Sequence, residues 1–232
     1  MDNWDFFDKI YCISIDKRVD RRAEAKRQFA KVGLLQRVEF VIVKRHAVNR
    51  EQGIYQSHIT CLQKGLKAGA ERILVFEDDI IFKGFKPSRL RDVCAYLKAK
   101  PDWNMLFMGC IVNSIAKTRQ KSLVRADYRC MAHAYGINRE FAEELMRKPW
   151  QGIPFDDLLN QINHRFYAVY PMFAFQSNSP SDNQTFIIDN LRRMLGGLIF
   201  IQRANEFYHH HKMWIISSHI VVIAILVYLI GS

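Results

Sequence analysis

The stretch from Trp214 to Ile230 contains no charged side chain, and only two serines and one histidine interrupt its apolar character. As an α-helix it would extend about 26 Å, close to the roughly 30 Å thickness of the hydrocarbon core of a bilayer. Trp214 and Tyr228 lie near its two ends, where spanning helices carry interfacial aromatic residues. The sequence therefore predicts one transmembrane helix over residues 213–231. A buried core helix or a terminal strand is the alternative.

Basic residues flank this stretch on one side, because Arg192, Arg193, Arg203 and Lys212 precede it and no Lys or Arg follows it. Positive charge collects on the cytosolic side of membranes, and the N-terminus lacks the pattern of a signal peptide. We therefore expect a single-pass, tail-anchored membrane protein with its large N-terminal part in the cytosol. The segment 186–212 mixes apolar and basic residues, so it could lie along the membrane interface or pack on the domain.

The chain is strongly basic, with 34 Lys and Arg against 23 Asp and Glu, a net charge of +11. Such an excess indicates phosphate ligands, nucleic acid or an acidic membrane surface as a partner. Basic and aromatic residues do not interleave in the manner of a nucleic-acid-binding module, so we predict no nucleic-acid partner. The five cysteines form no C-x-x-C pair, which argues against a disulfide framework or a zinc site.

Strand-sized apolar runs alternate with helical segments across residues 1–185, which we treat as one domain. Strands are predicted at residues 9–15, 38–43, 72–76, 105–108, 131–137 and 166–170, and helices at 21–31, 55–68, 87–98, 139–148 and 157–163. This alternation predicts an α/β domain with a mostly parallel central sheet and helices on its faces. In such sheets, ligands bind at the carboxyl ends of the strands.

Three adjacent carboxylates, Glu77, Asp78 and Asp79, directly follow the apolar run 72–76. Because like charges so close together repel, a cation would stabilise them, and carboxylate oxygens suit Mg²⁺ or Mn²⁺. A divalent ion held there can stabilise a diphosphate leaving group. A solvated acidic turn is the alternative, but apolar residues follow the acids as well as precede them.

A second acidic pair, Asp156 and Asp157, stands at a predicted helix start. The two acids could cap free N–H groups there, or one could be a general base, and the sequence supports both readings equally. Arg18 and Arg21 lie in the turn after the first strand, where they could bind phosphate or form a solvated helix face. His58 falls on the apolar face of its helix, where a buried core histidine is the default.

Six short motifs occur in a fixed order across residues 9–176. They are Ile13 to Arg22 (ISIDKRVDRR), Gly53 to His58 (GIYQSH), Gly69 to Asp79 (GAERILVFEDD), Trp103 to Gly109 (WNMLFMG), His133 to Tyr135 (HAY) and Pro154 to Asp157 (PFDD). Together these motifs resemble those of glycosyltransferase family 25, which contains the lipooligosaccharide-type and collagen-type sugar transferases.

The resemblance implies a GT-A-like, Rossmann-type fold and metal-dependent transfer of a hexose, with inversion, from a UDP-sugar such as UDP-galactose. The acceptor would be a glycan, a lipid-linked molecule or a protein. By position in these motifs, the resemblance implies that Glu77 and Asp79 bind Mn²⁺ or Mg²⁺ and that Glu77 and Asp78 contact the donor phosphates. It implies that Asp156 or Asp157 is the general base. Ser57 and His58 would then shape the donor pocket, and Asp16, Arg18 and Arg21 would line its nucleotide side.

The chain departs from the family pattern at three places. Ile54 stands where the family has Cys, Asn104 stands where it has Asp, and the short segment after Val43 lacks the motif A-V-D-G. A second hypothesis follows from these differences, namely a membrane-bound binding protein that keeps the glycosyltransferase fold and has lost catalysis.

Overall fold

The structure is a computed structural model of the chain and describes residues 4–177 and 197–231. Its strands are β1 (Lys9–Ile15), β2 (Val38–Val43), β3 (Arg72–Glu77), β4 (Ile80–Phe82), β5 (Met105–Phe107), β6 (Ile111–Lys117), β7 (Leu123–Cys130), β8 (Ala134–Asn138), β9 (Phe166–Val169) and β10 (Ala174–Gln176). Its helices are α1 (Val19–Lys31), α2 (Arg50–Lys67), α3 (Pro87–Ala99), α4 (Arg139–Met146), α5 (Phe155–Gln161) and α6 (Gly197–Gly231).

Eight strands form one central sheet in the order β2-β1-β3-β8-β5-β9-β7-β6. The strands β2, β1 and β3 are parallel, as are β5 and β9. Only β8 and β7 run against their neighbours, so six of the eight strands share one direction. The predicted α/β domain with a mostly parallel central sheet and one C-terminal apolar helix is confirmed.

Helices cover both faces of this sheet because the side chains of its central strands alternate between two cores. From β3, Leu74 and Phe76 enter the core beneath α1 and α3, whereas Ile73 and Val75 enter the core beneath α2, α4 and α5. The rings of Phe29 on α1 and Phe76 are 5.3 Å apart between centroids. Burial of each such side chain contributes about 1.5–3 kcal/mol, so these contacts hold α1 on the sheet.

Side-chain caps decide where two helices begin. The Asn49 side chain accepts a hydrogen bond from the backbone N–H of Gln52 at 3.0 Å, and Asn138 accepts one from Phe141 at 2.8 Å. Such caps satisfy N–H groups that lack a partner within the helix. The predicted start of α2 at Tyr55 was therefore too late, because that prediction used only the apolar face of the helix and not the capping residue Asn49.

The strands β4, β6, β7 and β10 were not predicted. β6 and β7 form an antiparallel hairpin at the sheet edge, where β6 exposes most of its side chains and so carries a weak apolar pattern. The predicted strand at residues 131–137 also began too early. Met131 has φ +78°, outside the strand region, and β8 begins only at Ala134.

Helix α6 begins against the domain and continues away from it. The Gln202 amide donates to the Ala174 carbonyl at 2.9 Å, Asn205 bonds both backbone groups of Val112, and Glu206 accepts from the Met172 N–H at 2.6 Å. The first turns therefore pack on the domain, whereas residues 186–196 of the basic segment lie outside the described residues. Farther along, Trp214 is 80% exposed, and α6 has the length and apolar composition to cross a membrane.

Candidate active site

A cleft of about 640 Å³ lies at the carboxyl ends of β1, β2 and β3, as expected for a parallel sheet. Its walls come from these strand ends, the start of α2, the turn between β7 and β8, the start of α5 and the first turns of α6. Among its lining residues are Ser14, Arg21, Lys44, Arg45, His46, Arg50, Ser57, His58, Glu77, Asp78, Asp79, Asp156, Gln176, Leu198 and Ile201. The cleft thus brings together most of the predicted site residues.

Glu77 is the last residue of β3, and its carboxylate faces the cleft. The Gln176 amide donates to Glu77 Oε2 at 3.2 Å, and His58 Nε2 lies 3.5 Å from Oε1. Burial, together with the negative charges of Asp156 and Asp78, raises the pKa of Glu77 to about 8. A cation bound nearby would therefore stabilise the ionised form of this carboxylate.

Asp78 and Asp79 share the guanidinium of Arg21, whose Nη1 lies 3.5 Å from an oxygen of each. Ser14 Oγ also donates to Asp78 at 2.6 Å. Burial and the neighbouring charge of Glu77 nevertheless raise the pKa of Asp79 to about 7. Its Oδ1 is buried and has no hydrogen-bond partner among the described residues. Arg21 therefore neutralises this acidic cluster only in part.

The acidic cluster fits a divalent ion that substrate oxygens help to hold. Within residues 4–177 and 197–231, no group of three or more His, Cys, Asp and Glu side chains is arranged to hold a metal ion by itself. Mg²⁺ is commonly held by one or two carboxylates together with waters and substrate phosphates. The unpaired oxygen of Asp79 is suited to that kind of coordination, and the metal assignment stays a prediction.

Asp156 belongs to the cleft wall, and Asp157 is not among the described residues that line the cleft. The Asp156 carboxylate accepts hydrogen bonds from the Tyr128 hydroxyl and from the N–H groups of Met131 (2.9 Å) and Ala132 (3.0 Å). Asp157 is 48% exposed and lies 3.6 Å from Arg129. Of the two candidate bases, the structure places Asp156 beside the acidic cluster, and the role of either stays a prediction.

His58 and Ser57 both line the cleft from α2. The His58 ring stacks on Phe155 with centroids 4.2 Å apart, and its Nδ1 is 3.0 Å from the Tyr135 hydroxyl. Burial lowers the pKa of His58 to about 4, so the imidazole is neutral near pH 7 and its contact with Glu77 is not an ion pair. Ser57 Oγ donates to the Gly53 carbonyl at 2.6 Å, within the helix.

Asp16 and Arg18 are not among the described residues that line the cleft. Asp16 accepts a hydrogen bond from the Lys17 N–H, and Arg18 pairs with Asp20 at 3.0 Å. Arg22 organises this turn instead, because it donates to Ser14 Oγ (3.1 Å) and to the carbonyls of Ile15 (2.6 Å) and Asp16 (2.8 Å). Arg22 therefore supports the serine that contacts Asp78.

Several cleft residues were not singled out from the sequence. Lys44, Arg45, His46 and Arg50 form a basic wall after β2, and Gln176 holds Glu77 from β10. The basic wall had a usable signal, because Lys44, Arg45 and His46 directly follow a strand that was predicted to end at this edge of the sheet. Gln176 had none, because β10 was not predicted.

We expect the acidic cluster to make the protein less stable as pH rises from about 4.5 to about 8. In this window the folded state keeps the protons of Glu77 and Asp79, whose pKa values are raised, while the unfolded state has released them. Unfolding therefore releases protons, and higher pH favours it. The measurement is urea unfolding across this pH range for the unaltered chain and for Glu77→Gln. A pH dependence identical in both proteins would contradict the assignment.

No protein-family model matches this chain. Among curated proteins, it is similar to procollagen galactosyltransferase 1 from Danio rerio. The two are 26% identical over 138 residues, an alignment that covers 56% of this chain and 22% of that relative. The chain thus spans less than a quarter of the length of this relative.

Two solved structures share part of the chain's overall arrangement. A197 from STIV has a TM-score of 0.47 and 15% identity, over 72% of this chain and 84% of that protein. A glycosyltransferase involved in the glycosylation of the major capsid of PBCV-1 has a TM-score of 0.42 and 9% identity, over 69% of this chain and 81% of that protein. At these TM-scores, neither likeness assigns a function. The findings that bear on function are the sequence similarity to a galactosyltransferase and the carboxylate-lined cleft.

Proposed function

We propose that this chain is an inverting, metal-dependent glycosyltransferase that moves galactose or another hexose from a UDP-sugar to an acceptor hydroxyl. The observation that carries the proposal is the placement of Glu77 and Asp79, two carboxylates with raised pKa values, at the end of β3 inside the cleft. The 26% identity to a procollagen galactosyltransferase supports sugar transfer as the chemistry.

Two groups of cleft residues, the basic wall and the acidic cluster, would bind different parts of a charged donor. Lys44, Arg45 and Arg50 supply positive charge suited to a diphosphate, which guanidinium and ammonium groups bind through charge-assisted hydrogen bonds. In the acidic cluster, Glu77 and Asp79 would hold Mn²⁺ or Mg²⁺, which supplies charge stabilisation to a diphosphate leaving group when it is bound. Ser14 and Arg21 hold Asp78, which fixes the acidic cluster in place.

Asp156 is the proposed general base. Its Oδ1 accepts hydrogen bonds from Tyr128 and Ala132, while its Oδ2 accepts one from Met131 and so keeps a site for a proton. An acceptor hydroxyl would give its proton to this oxygen while attacking the anomeric carbon opposite the departing UDP, which inverts that carbon. The three donors also fix the orientation of the carboxylate.

The proposed acceptor is a glycan, a lipid-linked molecule or a protein presented near a membrane, into which α6 would insert as the only spanning helix of the described residues. On the positive-inside argument, the catalytic domain would face the cytosol. The proposal involves no nucleic acid, because the basic wall belongs to a cleft of about 640 Å³, a volume suited to a small ligand.

We expect UDP-galactose to raise the melting temperature of the detergent-solubilised full chain by about 5–10 °C at 100 times its Kd, and only when Mn²⁺ is present. A ligand at that concentration stabilises the folded state by about 2.7 kcal/mol, and each kcal/mol is worth about 2–4 °C at this size. The measurement is a thermal melt with and without Mn²⁺, with EDTA and free galactose as controls.

Three outcomes are informative. A shift with a different UDP-hexose would replace galactose as the donor. An equal shift in EDTA would remove the metal from the proposal. Binding without turnover under Mn²⁺ or Mg²⁺ would favour the catalytically degenerate alternative instead.

A further inference from the structure

The β6–β7 hairpin runs alongside α6 toward its apolar half. Near the start of the hairpin, Asn205 bonds the N–H and the carbonyl of Val112, each at 3.0 Å. At its far end, the carbonyl of Ser122 accepts from the Tyr170 N–H at 2.8 Å, and the Tyr170 ring stacks on His210 with centroids 3.8 Å apart. The hairpin turn therefore lies close to His210, which precedes Trp214 by about 6 Å along the helix.

The charged residues at the end of this hairpin are all basic. We call residues 117–122 the hairpin tip, and its Lys117, Arg119 and Lys121 are all exposed. No Asp or Glu occurs from Ile111 to Ala126. The first acidic residue beyond, Asp127, accepts hydrogen bonds from Ser114 (3.2 Å) and Asn163 (2.8 Å). The positive charge of the tip therefore has no acidic residue within its own stretch of the hairpin.

Exposed aromatic side chains lie on α6 on both sides of His210, near the hairpin tip. Phe207 is 61% exposed, Tyr208 43% and Trp214 80%. Trp and Tyr side chains concentrate at the boundary between hydrocarbon and headgroups. The exposed Lys212 adds a further positive charge there. With the apolar half of α6 in a bilayer, the hairpin tip stands at the depth of the lipid headgroups.

We propose that the hairpin tip is a second membrane contact, which binds the headgroups of anionic phospholipids in the bilayer that α6 enters. Basic residues next to a negatively charged leaflet are attracted to it within about one Debye length, roughly 8 Å at physiological ionic strength. The stacked pair of Tyr170 and His210 holds the tip beside the part of α6 that directly precedes its apolar stretch. The proposal does not depend on sugar transfer.

The test is hydrogen–deuterium exchange of the full chain in nanodiscs of pure phosphatidylcholine or of phosphatidylcholine with 30% phosphatidylserine (about one lipid in three). We expect amides 117–123 to exchange about fivefold or more slowly in the anionic discs, the factor that one basic residue contributes at such a surface. The variant Arg119→Glu with Lys121→Glu should lose this difference. The matched control, Lys67→Glu with Lys98→Glu, makes the same change in net charge at exposed sites on α2 and α3 and should keep it.

Peptides from β3 serve as the internal check of folding in every sample. Equal exchange of the tip in the two lipids would overturn the proposal, as would failure of the chain to enter nanodiscs. Loss of the lipid effect in the control variant would also overturn it, because the attraction would then belong to net charge and not to the hairpin tip.

Discussion

Replacement of Asp79 by Asn is expected to lower sugar transfer by about 10²–10³-fold, the usual cost of removing one group that stabilises charge in a transition state. The same change should leave the fold at least as stable at pH 8. Asp79 Oδ1 is buried with no hydrogen-bond partner among the described residues, and burial raises the pKa of the carboxyl to about 7. The neutral amide therefore removes an unfavourable charge from the folded state. Turnover of UDP-galactose and the urea midpoint, measured on one sample, test both halves.

The opposite directions of these two effects separate a functional carboxylate from a structural one. Asp92→Asn, on an exposed position of α3, is the matched control and should change neither quantity. If Asp79→Asn loses stability and activity together, the carboxylate is structural and the proposed site is wrong. If it keeps full activity, Asp79 does not bind the cation, and Glu77 becomes the residue to test.

Replacement of Asp156 by Ala is expected to cost at least about 3 kcal/mol of stability, the low end for three unsatisfied groups, and to abolish measurable transfer. The change leaves the buried Tyr128 hydroxyl and the N–H groups of Met131 and Ala132 without their acceptor, and each unsatisfied buried group costs about 1–3 kcal/mol. At about 2–4 °C per kcal/mol, the melting temperature should fall by roughly 6–12 °C. Thermal melts and turnover assays provide the two readouts.

The milder variant Asp156→Asn distinguishes a base from a support for the turn between β7 and β8. Its amide oxygen still accepts hydrogen bonds, so it should lose less stability than the alanine variant, yet transfer should fall by about 10²–10⁴-fold, the contribution of a general base. Asp157→Asn should have the smaller effect on turnover, because Asp157 is half exposed and paired with Arg129. A larger loss from Asp157→Asn would reverse the assignment.

The sequence predicted the acidic part of the site because its signal is local. A buried strand that ends in three carboxylates places Glu77 and Asp79 at the sheet edge whatever the rest of the chain does. It could not separate Asp156 from Asp157, since neighbouring residues on a helix point about 100° apart and the sequence does not say which faces inward. Similarly, Arg21 and not Arg18 meets the acids, a difference that depends on how α1 packs on the sheet.

Features that depend on residues far apart in the chain could not be predicted from the sequence for a different reason. Gln176 approaches Glu77 only because β10 pairs with β4, two three-residue strands that carry no periodic signal of their own. The hairpin of β6 and β7 lies at the edge of the sheet, where half of its side chains are solvent-exposed and the apolar pattern fades. Pairing partners of this kind are set by tertiary structure and not by composition.

Helix α6 is uninterrupted from the cleft to the apolar segment, since Ile201 lines the cleft and Trp214 opens the apolar stretch on the same helix. The two residues are about 20 Å apart along the axis. With α6 embedded, the cleft is held at a nearly constant height above the bilayer. Under the proposed function, an acceptor hydroxyl would have to project to that height, and a membrane-borne acceptor would reach the cleft by diffusion in two dimensions. Density of acceptor per unit of membrane area, and not its bulk concentration, would then govern how often the two come together.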